Sequence, residues 1–267
     1  MLTKIRSAVS NRMRQRAERA RFTRYQPRLA RELSFTQAVA SFRDRNGLYA
    51  YMHHNLHHGC PTAVRCHRKY FSQQQRGFGE DALHAMWWLL LREFTPSKCL
   101  EIGVYRGQVI SLWSLIGQLA KFSIDVHGIS PFLPLGDTVS KYRPDIDYFS
   151  DTLEAFNNLN VARPTLVRAL STDPAGRAHI GRHRWDLVYI DGSHEYEVVL
   201  SDYEACRDAL APGGLLVLDD SSVDTTFRPP RFAFPGHVGP SRVAAEQAMR
   251  ELTFIGAVGH NSVFKKR

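Results

Sequence analysis

Leu187-Val188-Tyr189-Ile190-Asp191-Gly192-Ser193-His194 and, one helix-like segment later, Ala211-Pro212-Gly213-Gly214-Leu215-Leu216-Val217-Leu218-Asp219-Asp220 are the two stretches that decide the fold. Each holds a short apolar run closed by carboxylates, the pattern of a buried strand in a parallel sheet. In an open sheet of that kind, ligands bind at the carboxyl ends of the strands. Asp191, Asp219 and Asp220 are therefore expected at one mouth, with His194 one turn beyond Asp191. Crowded carboxylates repel unless a hard cation lies between them, and Mg²⁺ takes oxygen ligands of this type. The pattern predicts a metal-assisted site with a histidine base beside it.

The same alternation extends outward in both directions. Strands are predicted over 98–102, 123–129, 165–169, 186–190 and 215–218. Helices are predicted over about 107–119, 152–159 and 197–210, with a short one after the third strand. A polar, mixed segment follows the second strand. Residues 221–240, rich in Pro, Gly, Phe and Arg, read as a loop over the site and carry Arg228, Arg231 and His237. A helix over 241–252 and two short strands near 254–258 and 262–264 end the chain, with Gly259-His260-Asn261 as their hairpin turn. The expected fold is α/β: a Rossmann-like doubly wound sheet, mostly parallel, with a C-terminal antiparallel hairpin and a helical N-terminal extension.

At 267 residues the chain has room for one α/β domain with appendages. Its net charge of +9 is concentrated at one end: residues 1–45 hold twelve Lys and Arg against three acids, so the remainder is near neutral. The basicity belongs to an arm, which argues against a nucleic-acid surface on the fold itself. Residues 1–33 read as a basic amphipathic helix, with Leu2, Ile5, Val9, Met13, Ala17 and Ala20 at helical spacing. Such an arm suits packing on a neighbour or a second subunit, an anionic membrane surface, a targeting segment or a nucleic-acid contact.

Residues 34–95 read as a helical cap region. Within it, Met86-Trp87-Trp88-Leu89-Leu90-Leu91 is too short for a membrane span and suits a core helix. His53, His54, His57, His58, Cys60, Cys66 and His67 form a cluster whose donors suit zinc, although the spacing is not that of a zinc finger. Cys60, Cys66, Cys99 and Cys206 show no disulfide spacing, and no signal-peptide core is visible. A cytoplasmic protein, peripheral at a membrane surface at most, is the expectation.

Leu100-Glu101-Ile102-Gly103-Val104-Tyr105-Arg106-Gly107 closes the first strand and opens a helix. Gly103 leaves room for a ligand to approach the backbone, and Gly107 for the helix to pack closely. The dinucleotide pattern is absent, because Tyr105 stands where its second glycine would be. Taken with Ala211-Pro212-Gly213-Gly214 and the final hairpin, the Glu-x-Gly-x-x-x-Gly run resembles motif I of class I S-adenosylmethionine-dependent methyltransferases over roughly residues 80–267. The resemblance implies that Glu101, Gly103 and Gly107 contact the methionine end of S-adenosyl-L-methionine, Glu101 through its ammonium. It implies adenine contacts at Ser171 and Asp173. The family usually has an acid at the end of the second strand to hold the ribose; here that place belongs to Ser130, a weaker partner.

Asp191-Gly192-Ser193-His194 with Asp219-Asp220 resembles a narrower group, the metal-dependent sugar O-methyltransferases of the macrocin O-methyltransferase type and the related cephalosporin hydroxylase-like proteins. The resemblance implies that Asp191, Asp219 and Asp220 bind Mg²⁺ or another divalent cation, and that His194 is the base. Asp191 and His194 are then the candidate catalytic pair, with Asp191 also touching the cofactor. The expected activity is O-methylation of a sugar, polyol or sugar-bearing metabolite. A small-molecule or glycan acceptor and a possible homo-oligomer are the expected partners. Competing readings are a binding protein that keeps the fold without turnover, motivated by Ser130, and a nucleic-acid methyltransferase guided by the arm. At residue level, Asp191 as a helix cap and His194 as a surface histidine also stay open.

Overall fold

A computed structural model describes residues 2–73, 76–133, 135 and 142–267, with the backbone alone for residues 2–6. Seven strands form one sheet: β1 (Lys98–Ile102), β2 (Asp125–Ser130), β3 (Thr165–Arg168), β4 (Trp185–Ile190), β5 (Leu210–Leu218), β6 (Thr253–Val258) and β7 (Asn261–Lys265). Their order is β3-β2-β1-β4-β5-β7-β6. The first five pair in parallel, and β7 runs antiparallel between β5 and β6. This is the predicted sheet, with its reversal of strand order between β1 and β4, where ligands bind in such folds.

Side chains alternate between the two faces of a strand, and each face has its own core. Cys99, Val126, Leu187, Tyr189, Leu215, Val217 and Val263 pack with α3 (Arg45–His58), α5 (Asp81–Phe94) and α6 (Gln108–Ala120). Leu100, Ile102, Ile129, Val188, Ile190, Leu216 and Leu218 pack with α8 (Pro174–Arg182) and α9 (Tyr196–Ala209). The result is a three-layer sandwich. Met86–Leu91 lie in α5, buried from Ala82 to Leu91, as a core helix. Among the described residues no helix is long and apolar enough to cross a membrane.

The remaining helices are α1 (Leu2–Thr23), α2 (Phe35–Ser41), α4 (Thr62–Ser72), α7 (Tyr148–Leu159), α10 (Val238–Val243) and α11 (Met249–Glu251). The helix predicted through residue 33 stops at Thr23. Pro27 forces Gln26 into extended backbone (φ −134°, ψ 110°), and only a 3₁₀ turn, Pro27–Leu29, follows. The side chains of Leu2, Lys4, Ile5 and Arg6 lie outside the described residues. Downstream of them α1 is tied to the body by Phe22, edge-on to Tyr49, His53 and Phe232.

Strand β5 begins at Leu210, earlier than expected. A register shift opposite Trp185–Leu187 absorbs Ala211-Pro212-Gly213-Gly214 as an irregularity within the strand, where proline is tolerated. The last long helix also starts early, at Val238, and continues through a π segment, Ala244–Ala248, into α11. Of the polar segment predicted after β2, residues 134 and 136–141 lie outside the described residues.

Candidate active site

Strands β4 and β5 pair with Ile190 beside Leu218, so the residues that follow them meet. The Asp191 amide bonds to the Ile102 carbonyl and the Asp219 amide to the Ile190 carbonyl, which extends the ladder by one residue on each strand. Asp220 then turns out of the sheet in a left-handed conformation, φ 51°. The three predicted acids thus stand together. Burial, then the charges of Asp219, Asp220 and Glu101 together with a hydrogen bond to Asp219, raises the Asp191 carboxyl well above the usual carboxylate range. Asp191 does not cap α9; that position is Glu195.

A ring of histidines surrounds the acids. His194 Nε2 lies 3.0 Å from Asp220 Oδ2. His237 Nε2 is 3.7 Å from the same oxygen, and the two imidazole centroids are 3.9 Å apart. His194 is thus half-buried against an acid rather than a surface histidine. Burial opposes charge on Asp220, but the His194 hydrogen bond and the charges of His260, His194 and His237 bring its carboxyl below the usual range.

The sequence marks His260 only as a turn residue, yet its Nε2 is 3.3 Å from Asp219 Oδ1 and 4.0 Å from Asp220 Oδ1. Its Nδ1 donates to the Phe234 carbonyl at 2.9 Å. Burial alone would lower His260; Asp219, Glu80 and Asp220 outweigh it and raise it to about 9. Asn261 donates to Asp219 through Nδ2, and its buried Oδ1 has no partner among the described residues. Glu80, before α5, completes the second layer by accepting from Tyr49 Oη (2.7 Å) and from the Phe234 amide (2.8 Å).

The residues 221–237 form the expected cover. Ser221 bridges Gly236, the His237 amide bonds to the Asp220 carbonyl, and Phe234 is held by Glu80 and His260. Arg228 is spent within the loop, on the Thr225 and Phe227 carbonyls. The Arg231 amide bonds to Glu18 of α1, so the arm also secures the cover.

On β1, Glu101 is 3% exposed. Burial, then Asp219, raises its carboxyl well above the usual range, against a hydrogen bond from the Ile110 amide. Its Oε2 has no partner among the described residues. A buried acceptor beside the carboxylate mouth suits a cationic donor such as an ammonium. Gly103 has φ 98°, and a Cβ there would fall 1.8 Å from the Asp191 carbonyl oxygen. The glycine is thus needed for the approach of β4 to β1, a reason separate from any ligand. Gly107, φ 77°, caps α6 where a Cβ would meet Thr152 of α7 at 2.8 Å.

The remaining candidates are less convergent. Ser130 ends β2, 3% exposed, with its hydroxyl accepting from the Phe132 amide at 3.4 Å. A cavity of about 700 Å³ opens beside it, bordered by Phe132, Asp147, Arg168, Leu170 and Asp173. It lies along the β2–β3 edge, apart from the carboxylates. Asp173 borders this cavity and also accepts from the Leu170 amide; Ser171 instead donates to Asp202 of α9 at 2.8 Å. The cluster at 53–67 divides. His57 and Arg68 bind Asp81, His54 and His58 meet the Gln26 amide and the Thr23 carbonyl, His67 joins His84 and Ser111, and Cys66 is exposed.

The donors fit a hard divalent cation. They are carboxylate oxygens crowded enough that Asp191 is driven toward its protonated form, with an unpartnered amide oxygen on the neighbouring Asn261. The imidazoles alongside widen the fit to Mn²⁺.

Residues 100–221 match the family model described as a methyltransferase domain. No curated protein sequence matches the chain significantly. Among solved structures, the SAH-bound methyltransferase PaMTH1 of Podospora anserina is similar with a TM-score of 0.58 at 14% identity, over 89% of this chain and 99% of that one. A putative caffeoyl-CoA O-methyltransferase from Staphylococcus aureus has a TM-score of 0.55 at 12% identity, over 80% of this chain and 96% of that one. An O-methyltransferase from Bacillus cereus, in complex with SAH, has a TM-score of 0.50 at 14% identity, over 77% and 90%. At these identities the likeness is one of fold.

Proposed function

We propose that the chain is a class I S-adenosylmethionine-dependent methyltransferase and, within that class, a metal-dependent O-methyltransferase acting on a hydroxyl of a sugar, polyol or sugar-bearing metabolite. The observation that carries this reading is the meeting of Asp191, Asp219 and Asp220 with His194, 3.0 Å from Asp220, at one strand mouth. When bound, S-adenosylmethionine supplies an electrophilic methyl group, and a divalent cation lowers the pKa of a hydroxyl and fixes its direction.

The chain's own residues have separable tasks. Asp191, Asp219 and Asp220 would hold the cation, and Glu101 Oε2 would receive the cofactor's ammonium. His194 takes the acceptor's proton, and Asp220 orients its ring and favours its charged form. His260 and Asn261 fix Asp219, while Phe234 and His237 close the cover and exclude water. Two adjacent hydroxyls chelate a metal better than one, which favours a vicinal diol.

The test is methyl transfer from S-adenosylmethionine to a panel of vicinal diols, using chelator-stripped enzyme with and without Mg²⁺. Methyl ether formation restored by Mg²⁺ is expected. Equal turnover in excess chelator contradicts the metal, and transfer only to amines or thiols contradicts the acceptor class.

A further inference from the structure

At the amino-terminal end of β2, the opposite end of the sheet from the carboxylates, three histidines converge. His127 is on β2; His179 is in the last turn of α8, and His183 is its C-cap. Each offers a nitrogen, and the three lie within 4.8 Å of one another. His127 Nδ1 is 3.0 Å from His179 Nε2. The ring centroid of His183 is 5.2 Å from that of His127 and 5.3 Å from that of His179. Trp185 closes one side, its ring 5.0 Å from both His127 and His183. On the far side of the His127 ring, Nε2 lies 2.9 Å from Asp125 Oδ2, which in turn meets Lys98 Nζ at 3.1 Å.

We propose that His127, His179 and His183 bind a transition-metal ion, Zn²⁺ or another imidazole-preferring divalent ion, at a site independent of the carboxylate mouth. Zn–N bonds of 2.0–2.1 Å at tetrahedral angles place ligand nitrogens about 3.3 Å apart. The His127–His179 pair is already near that spacing, and a His183 nitrogen lies within 4.8 Å of both. His179 and His183 are four residues apart at a helix end, a spacing that puts both on one face. Asp125 lies 2.9 Å from the remote nitrogen of His127, which leaves Nδ1 as the atom that faces the other two imidazoles.

Burial, with the neighbouring imidazoles, pushes His179 down to about 4, and burial also lowers His183, shifts that favour the neutral rings a metal takes. Three histidines leave a fourth position to water. Nitrogen donors alone do not suit Mg²⁺. Away from the carboxylate mouth, the His53 and His57 pair at Asp81 differs because Arg68 Nε sits 2.9 Å from that carboxylate and already supplies the positive charge. A bound ion here would tie α8 to β2, and α8 begins directly after Asp173, at the wall of the cavity.

The test uses full-length, chelator-stripped protein titrated with Co²⁺ and Zn²⁺. Visible Co²⁺ absorption reports nitrogen ligation, and melting temperature is followed in parallel. The variants are His183→Ala, His179→Gln and Asp219→Asn. One Co²⁺ site is expected that survives Asp219→Asn, is displaced by Zn²⁺ and not by Mg²⁺, and weakens by at least about tenfold in each histidine variant. Zn²⁺ is expected to raise the melting temperature of Asp219→Asn, and adding His183→Ala or His179→Gln to Asp219→Asn is expected to abolish that rise. Co²⁺ binding that is absent, lost in Asp219→Asn, or unchanged in both histidine variants overturns the proposal.

Discussion

His194 and Asp220 are joined across the mouth of the β4–β5 pair by a 3.0 Å contact between Nε2 and Oδ2. Asp220 therefore has two duties, one toward the imidazole and one toward the proposed cation. His194→Ala is expected to lower kcat by about 10²–10⁴-fold, the usual contribution of a positioned base, with S-adenosylhomocysteine affinity retained. The pH–rate profile should lose its acidic limb. A variant with wild-type kcat and an unchanged profile would assign the base elsewhere.

Glu101 separates cofactor binding from stability. Its buried oxygen without a partner, and a carboxyl raised first by burial, mark a group that costs stability when charged in the empty protein. Glu101→Gln is expected to leave the urea midpoint equal or higher. It should weaken S-adenosylhomocysteine binding about 10- to 100-fold, the loss of one hydrogen bond to a charged group. Calorimetry and urea unfolding on the same samples test both halves; unchanged affinity contradicts the ammonium contact.

The stability of the metal-free protein should fall with rising pH through the window set by His260. Its folded value is raised to about 9 from 6.5, so the folded state keeps a proton between those values that the unfolded state releases. The contribution, on the order of 3 kcal/mol, is complete below 6.5 and lost as pH climbs through 9. Urea midpoints at pH 6 and 9.5 measure it, and His260→Gln should flatten the difference. A wild-type midpoint that rises over this interval contradicts the His260–Asp219 pairing.

Gly103→Ala should be among the most damaging small substitutions. The backbone is left-handed there, and the new methyl would fall 1.8 Å from the Asp191 carbonyl oxygen, which the sheet holds in place. A loss of about 2–4 kcal/mol is expected in urea unfolding, the range of strained backbone plus steric displacement. A loss below about 1 kcal/mol would mean that the β1 and β4 ends separate easily.

The strand order and the acid triad were legible because they are local: an apolar run, a glycine turn and a carboxylate at the strand's end. Asp191, Asp219 and Asp220 meet because β4 and β5, joined through α9, pair in parallel as neighbours. His260, Asn261 and Glu80 were not legible as site residues. Their place depends on β7 inserting antiparallel beside β5 and on α5 lying beneath the sheet, both long-range facts. The end of α1 is not legible because the arginine spacing continues past Pro27, whereas the helix stops at Thr23 ahead of that proline. Ser171, which the resemblance places at the adenine, donates its hydroxyl to Asp202 of α9, a contact set by long-range packing.

The central claim is that one carboxylate cluster holds a divalent cation beside a bound cofactor. The most direct measurement is calorimetric titration of S-adenosylhomocysteine and Mg²⁺ into wild type and Asp219→Asn. The account predicts cofactor binding to both proteins and Mg²⁺ binding to wild type alone. Mg²⁺ binding of equal strength to both, or cofactor binding with no Mg²⁺ uptake by wild type, would contradict the carboxylate–metal mechanism; failure of the cofactor to bind wild type would contradict the enzyme reading itself.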